Sequence, residues 1–163
     1  MTDITPCLWF DGNAEEAARF WCGLLPDSRI TQIARAPIDN PSTPEGAVLT
    51  VEFELMGRPY LGLNGGPRFS FTEAVSLMVP CATQAEVDRL WTALTADGGK
   101  AVACGWLKDR FGMAWQIVPA RMMEILRAGE PEGRKRAFAA MMTMTKLDLA
   151  AIERAYAGEA DPS

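Results

Sequence analysis

The chain has 163 residues, of which 48% are hydrophobic and 23% charged, the balance of an ordinary globular protein with a substantial core. The formal net charge of −5 argues against a nucleic-acid-binding surface, because phosphate contacts need clustered Lys and Arg. The sequence contains no histidine, which excludes Ser-His-Asp and Cys-His catalytic systems and metal sites built on imidazole. We therefore expect any catalysis to use carboxylates, Lys, Tyr, Cys or backbone groups.

The cysteine pattern and the N-terminus favour a cytoplasmic location. The four cysteines lie too far apart in sequence for a Cys-x-x-Cys pair, which is typical of reduced structural thiols. Met1-Thr2-Asp3 does not resemble the start of a signal peptide, and no segment is long and apolar enough to span a bilayer. We expect neither a membrane nor a nucleic acid as a partner.

The first half of the chain predicts the order β-α-β-β-β. A helix is expected at about residues 14–25, with Asn13 as its N-cap. Met56-Gly57 is a tight-hairpin signal, and the proline-rich segment 37–46 indicates a loop. The strands are predicted at about residues 5–10, 29–35, 47–55 and 58–63.

The second half predicts the same order of elements. Thr83 is expected to cap a helix at about residues 84–96. The residues Glu, Arg, Trp and Leu of this helix repeat those of the first helix at an offset of 70, which indicates a duplicated module. The matching residues are Glu16, Arg19, Trp21 and Leu24 in the first helix and Glu86, Arg89, Trp91 and Leu94 in the second. Strands are predicted at about residues 75–80, 100–106 and 113–119.

After Pro119 the pattern becomes helical, with segments at about residues 121–128, 132–144 and 148–157. Such a tail is expected to pack on the sheet or on a second subunit, and a lid over a pocket is the alternative. The predicted fold class is thus α+β: a single domain over residues 1–163 with two modules and a helical tail. Module 1 covers about residues 4–66, module 2 about residues 73–120, and the tail about residues 121–157.

Three stretches, Phe10–Ala17, Leu63–Phe69 and above all Cys104–Pro119, resemble the PhnB-like subgroup of the vicinal-oxygen-chelate (glyoxalase-like) superfamily. That subgroup often carries the name 3-demethylubiquinone-9 3-methyltransferase-like domain. The resemblance extends over about residues 4–157. It implies U-shaped mixed sheets that enclose a pocket, helices on the outside, and a homodimer, often with elements exchanged between subunits.

The resemblance also implies where a metal would bind. The usual ligand positions of the superfamily fall on Thr5, Ala74 and Gln116. Hydroxyl, methyl and amide groups are poor ligands for Zn, Fe or Mn, so we predict no metal site and no cofactor. No strand ends in Gly-x-Gly before a helix, and the methyltransferase name therefore has no support from a nucleotide-binding motif.

Several residues are candidates for a pocket or for catalysis, and each has an ordinary structural interpretation beside the functional one. Asn64 either binds a ligand or forms a turn, and the aromatic residues either line a pocket or pack the core and a dimer interface. Lys108-Asp109-Arg110 is either an exposed hairpin with an internal ion pair or an anchor for an anionic substrate. Weak catalytic candidates are Tyr60, Lys108 and Asp109. Candidate pocket residues are Thr5, Trp9, Asn64, Phe69, Phe71, Trp106, Arg110 and Gln116.

The sequence favours a metal-independent protein of the glyoxalase-like type that binds or converts an unidentified small molecule. One alternative is a methyltransferase-like, lyase or isomerase enzyme on the same scaffold. A dimeric interaction protein without a ligand is the other.

Overall fold

The computed structural model describes residues 4–159, and the chain divides into two compact units, one ending at Phe71 and one beginning at Thr72. Each unit contains a four-stranded mixed sheet, and the fold is α+β, as predicted. In both sheets the first strand of the unit pairs in parallel with the last, and the other neighbours are antiparallel. This shared topology agrees with the repeat in the sequence.

The elements of the first unit are β1 (Cys7–Phe10), α1 (Ala14–Leu24), β2 (Arg29–Arg35), β3 (Val48–Leu55) and β4 (Arg58–Asn64). The strands are arranged in the order β1-β4-β3-β2. Helix α1 packs on one face of this sheet through three buried aromatic rings, those of Phe10, Trp21 and Phe53. At the predicted hairpin, Met56 and Gly57 both have positive φ angles, of 50° and 73°, as a tight two-residue turn requires.

The second unit begins with β5 (Ser76–Cys81), α2 (Gln84–Thr95), β6 (Lys100–Ala101), β7 (Trp106–Lys108) and β8 (Ala114–Pro119). Its strand order is β5-β8-β7-β6, and a helical tail follows the last strand. The tail consists of α3 (Ala120–Ala128), α4 (Pro131–Met142) and α5 (Leu149–Ala157), so the three predicted tail helices are confirmed. Within residues 4–159, no helix combines the length and the apolar character needed to cross a membrane.

The strand predicted at about residues 100–106 is instead two short strands, β6 and β7, separated by a turn. Cys104 and Gly105 have φ angles of 55° and 82°, outside the extended region, and the Trp106 amide donates to the Ala103 carbonyl at 3.0 Å. Because two successive positive φ angles reverse the chain, a continuous strand is impossible here.

Asn13 is the N-cap residue of α1, as predicted, but its side chain makes no capping hydrogen bond. The amide of Ala14, the first residue of α1, instead donates to the side-chain oxygen of Asn64 at 3.0 Å. The cap predicted at Thr83 is confirmed: its side chain accepts from the Glu86 amide, and the Glu86 carboxylate accepts from the Thr83 amide.

The helical tail packs on the second sheet, beginning at Val118 of β8. Its buried cluster consists of Val118, Met122, Ile125, Ala137, Leu147 and Ile152. The segment between α4 and α5 pairs with the turn before β7: the Cys104 amide donates to Met144 at 2.8 Å, and the Gly105 amide donates to Thr145 at 2.9 Å. The tail thus holds the turn that leads directly into Trp106.

Candidate functional site

The two faces of the second sheet differ in character. Leu107, Trp115 and Ile117 point to one side and are at most 1% exposed, as expected for the face packed against α2. By strand alternation and register, a second group of side chains points to the opposite face. It consists of Ser76, Met78, Trp106, Lys108, Ala114 and Gln116.

Gln116 lies at the centre of this opposite face. Its side-chain nitrogen donates to the Ser76 hydroxyl on β5 at 2.9 Å, and Trp106 is its cross-strand neighbour on β7. All three side chains are partly exposed. Together with Lys108 they form a surface that we call the Gln116 patch, defined as Ser76, Trp106, Lys108 and Gln116.

Lys108 supplies the positive charge of the Gln116 patch. Its ammonium group donates to the Glu73 carboxylate at 2.7 Å. This hydrogen bond, more than any other effect, holds the pKa of the Glu73 carboxyl below its usual value. The carboxylate is therefore ionised at neutral pH, and its negative charge balances the positive charge of Lys108.

The corresponding face of the first unit carries different chemistry. The first residue of β1, Cys7, pairs with Leu61 in the way that Ser76 of β5 pairs with Ala114. Two residues further along both strand pairs, Leu63 of β4 occupies the register position that corresponds to Gln116 of β8. The polar pair of the second unit thus has an apolar counterpart in the first unit.

Asn64, predicted either to bind a ligand or to form a turn, is 4% exposed and hydrogen-bonded through both ends of its amide. Besides accepting from Ala14, it donates to the Val48 carbonyl at 2.9 Å. Its backbone carbonyl accepts from the Thr43 hydroxyl at 3.0 Å. Asn64 therefore joins the start of α1, strand β3 and the 37–46 loop, a structural role that occupies its amide.

The aromatic residues that the sequence offered as pocket candidates are distributed over both units. In the first unit, Trp9 meets Phe69 edge to face at 5.0 Å between ring centroids, and its indole N–H donates to the Gly66 carbonyl at 2.7 Å. Phe71 packs edge to face on the core residue Phe10 at 5.2 Å. Trp106 belongs to the second unit, in the Gln116 patch.

Asp109 is buried, with only 3% of its surface accessible, so the first of the two interpretations, an exposed hairpin, is wrong for this residue. One carboxylate oxygen accepts from the amides of Phe111 and Met113 at 2.9 and 3.0 Å, and the other accepts from the Trp115 indole N–H at 2.9 Å. These bonds fold the turn between β7 and β8. Arg110 pairs with Asp97 at 3.2 Å, at the end of α2.

Burial keeps two further reactive side chains in their protonated forms at neutral pH. Burial raises the pKa of Tyr60, which stacks on Phe53 with ring centroids 5.6 Å apart. Burial likewise raises the pKa of the Cys81 thiol to about 11, so that the thiol stays protonated and weakly nucleophilic.

The residues at the superfamily's metal positions do not fit a transition metal. Thr5 and Ala74 are exposed and lie two residues before β1 and β5, and the group that meets Gln116 is the hydroxyl of Ser76. Neutral hydroxyl and amide groups are weak ligands for Zn, Fe or Mn. Within residues 4–159, no group of three His, Cys, Asp or Glu side chains is arranged to hold a metal ion.

Sequence reasoning missed Ser76 and Glu73. Alternation along β8 places Gln116 on the face opposite α2, but it gives no information about the register between strands. In the observed register Gln116 pairs with Met78, and Ser76, two residues earlier on the same face of β5, comes within hydrogen-bond distance of the Gln116 side chain. No local pattern marks Glu73 as the partner of Lys108.

Comparisons with known proteins identify the family and agree with the fold. The family model of 3-demethylubiquinone-9 3-methyltransferase matches residues 2–118. The PhnB protein of Bacillus cereus is 34% identical, and the match covers 73% of this chain and all of that one, with a TM-score of 0.66. A Pseudomonas aeruginosa protein, 21% identical, shares the fold: the match covers 73% of this chain and 98% of that one, with a TM-score of 0.59.

The chain belongs to the 3-demethylubiquinone-9 3-methyltransferase family. The PhnB-like resemblance of the sequence is thereby confirmed, and the two four-stranded mixed sheets agree with the fold that it implies. No curated protein matches the chain. The family model ends at residue 118, before α3, so the helical tail lies outside the matched residues.

Proposed function

We propose that this PhnB-like chain is a metal-independent protein that binds a small organic molecule at the Gln116 patch. The observation that supports this best is the hydrogen bond between Gln116 and Ser76. The family resemblance implies a glutamate metal ligand at the position of Gln116. An amide in place of a carboxylate removes the charge that would hold a cation.

The chemistry of the patch suits an organic ligand. Beyond its bond to Ser76, the Gln116 amide has a second N–H donor and an acceptor oxygen. Trp106, its cross-strand neighbour, adds an aromatic surface, and Lys108 adds a cation. A few polar groups beside an aromatic side chain are typical of small-molecule sites.

A methyltransferase activity, suggested by the family name, has weaker support. The links from β1 to α1 and from β5 to α2 run through Asp11-Gly12-Asn13 and Ala82-Thr83. Neither link contains the Gly-x-Gly turn that commonly cradles a nucleoside cofactor. Of the three catalytic candidates, Asp109 is occupied by the hairpin turn, and Lys108 is the one that belongs to the patch.

Native mass spectrometry of freshly purified protein, combined with elemental analysis, tests the proposal. We expect a co-purified organic molecule and no stoichiometric transition metal. The Gln116→Leu variant should lose the bound molecule, because leucine keeps the volume of the side chain but not its hydrogen bonds.

The matched control is Gln32→Leu, the same exchange at an exposed position of β2 in the first unit, which should leave the bound molecule unchanged. Stoichiometric Zn, Fe or Mn in the unsubstituted protein would contradict metal independence. Tight binding of S-adenosylmethionine in calorimetry would favour the methyltransferase alternative.

We further propose that the chain forms a homodimer and acts in the cytoplasm. The family resemblance supports the homodimer, and the cysteine pattern supports the cytoplasmic location. Light scattering after size-exclusion chromatography measures the subunit count, and a monomer at micromolar concentration would contradict the dimer.

A further inference from the structure

The Lys108–Glu73 ion pair crosses the second sheet above Ala114. Lys108 on β7, Ala114 on β8 and Ser76 on β5 lie side by side in the sheet register. Since neighbouring strands are about 4.8 Å apart, β7 and β5 are separated by roughly 10 Å, a gap that the Lys108 and Glu73 side chains bridge together. Ala114, the small residue beneath this path, is fully buried, which agrees with the ion pair covering it.

The ion pair is held loosely enough to be exchanged. The side chains of Lys108 and Glu73 are 31% and 55% exposed, and Glu73 lies outside the regular strands. An exposed ion pair of this kind contributes little to stability. The carboxylate of the next residue, Asp109, is buried and accepts hydrogen bonds from the turn and the Trp115 indole. Glu73 is therefore the group that an incoming anion would replace on Lys108.

Accepting the proposed function, we propose that the ligand of the Gln116 patch is a small aromatic carboxylic acid whose carboxylate takes the place of Glu73 on Lys108. The exchange substitutes one singly charged carboxylate for another and leaves the charge balance at Lys108 unchanged. The ring of the ligand then contacts Trp106, and the Gln116 amide bonds to a polar substituent.

The first unit provides an internal contrast. Glu52 on β3 pairs with Leu61 in the same way that Lys108 on β7 pairs with Ala114. The duplicated module thus carries a negative charge where the second unit carries a positive one. Only the second copy offers an anion a cation at this position.

Two-dimensional NMR of the full chain with benzoate, and with benzamide as its neutral analogue, tests this inference. Benzoate should shift the Gln116 side-chain amide and the Trp106 indole N–H, and benzamide should bind at least tenfold more weakly. Lys108→Met should weaken benzoate binding at least tenfold and leave benzamide binding unchanged, whereas Lys108→Arg, which keeps the charge, should restore benzoate binding to within about threefold.

Removal of the competing carboxylate gives the most specific readout. Glu73→Gln should strengthen benzoate binding at least threefold, because benzoate then no longer competes with the Glu73 carboxylate for Lys108. Glu52→Gln is the matched control: it removes the same charge from the chain at an exposed position of the first unit and should change benzoate binding less than twofold.

Failure of the carboxylate assignment and failure of the proposed binding site give different results. Equal binding of benzoate and benzamide, with no effect of Glu73→Gln, would overturn the carboxylate assignment and leave the proposed site intact if Gln116→Leu abolishes both. Benzoate shifts that are absent from the patch would also overturn it. Loss of the proposed site itself would appear as a co-purified molecule that survives Gln116→Leu.

Discussion

Two asparagines lie near the start of α1, and the one distant in sequence stabilises the helix. Asn64 accepts from the Ala14 amide and donates to the Val48 carbonyl, whereas the Asn13 side chain makes no capping bond. We predict that Asn64→Ala lowers the free energy of unfolding by about 2–3 kcal/mol, because it leaves buried partners unsatisfied. Asn13→Ala should cost about 0.5 kcal/mol or less. Urea denaturation measures both, and equal losses would contradict the assignment.

Asp109 and Asp97, two aspartates of the second unit, should differ in their contributions to stability. Its buried carboxylate accepts from two amides and the Trp115 indole, so Asp109→Ala should cost about 3 kcal/mol by stranding these donors. Asp97 is 73% exposed and pairs with Arg110 at the surface, so Asp97→Ala should cost less than about 1 kcal/mol. Thermal unfolding of the two variants distinguishes a structural Asp109 from a catalytic one, whose loss would reduce activity at unchanged stability.

At the level of elements, the turn between β6 and β7 depends on the contact of Gly105 with the tail. Gly105 has a φ of 82°, and a Cβ there would lie 2.7 Å from Leu147 and 2.9 Å from the Ile117 carbonyl. Gly112 has a φ of 85°, but among the described residues nothing lies within 4 Å of its Cβ position. Gly112→Ala should therefore cost about 1 kcal/mol from backbone strain alone, and Gly105→Ala about 3 kcal/mol from strain and collision together. Chemical denaturation of both variants checks the difference, and equal losses would show that the tail does not press on the turn.

The elements that the sequence predicts correctly are those with strong local patterns. The repeated Glu-Arg-Trp-Leu helices and the Met56-Gly57 hairpin follow from periodicity and turn chemistry. The break between β6 and β7 was missed because Cys104 adopts a positive φ, a conformation that residues other than glycine seldom take. Pairing with the tail at Met144 and Thr145 supports that turn, and such long-range contacts leave no local signal in the sequence.

For the molecule as a whole, the sequence predicted the family and three of the four residues of the Gln116 patch, namely Trp106, Lys108 and Gln116. Alternation places Gln116 on the free face of β8, and composition alone excludes histidine ligands. The partners of the patch depend on strand register and on the path of the Lys108 side chain across β8. Register is set by packing over the whole sheet, so Ser76 and Glu73 emerge only from the folded structure.

The helical tail, which lies beyond the family match, is an integral part of the second unit. Ile152 of α5 is fully buried in the cluster that includes Val118 of β8, whereas the larger Phe138 of α4 is 52% exposed. If burial determines the energetics, Ile152→Ala should cost about 2–5 kcal/mol and Phe138→Ala less than about 1 kcal/mol, although it removes more atoms. Hydrogen exchange should show faster opening of the Gly105 and Ile117 amides in Ile152→Ala only. A reversed order of the two losses, or unchanged exchange at Gly105, would mean that the tail is an appendage that does not support the sheet.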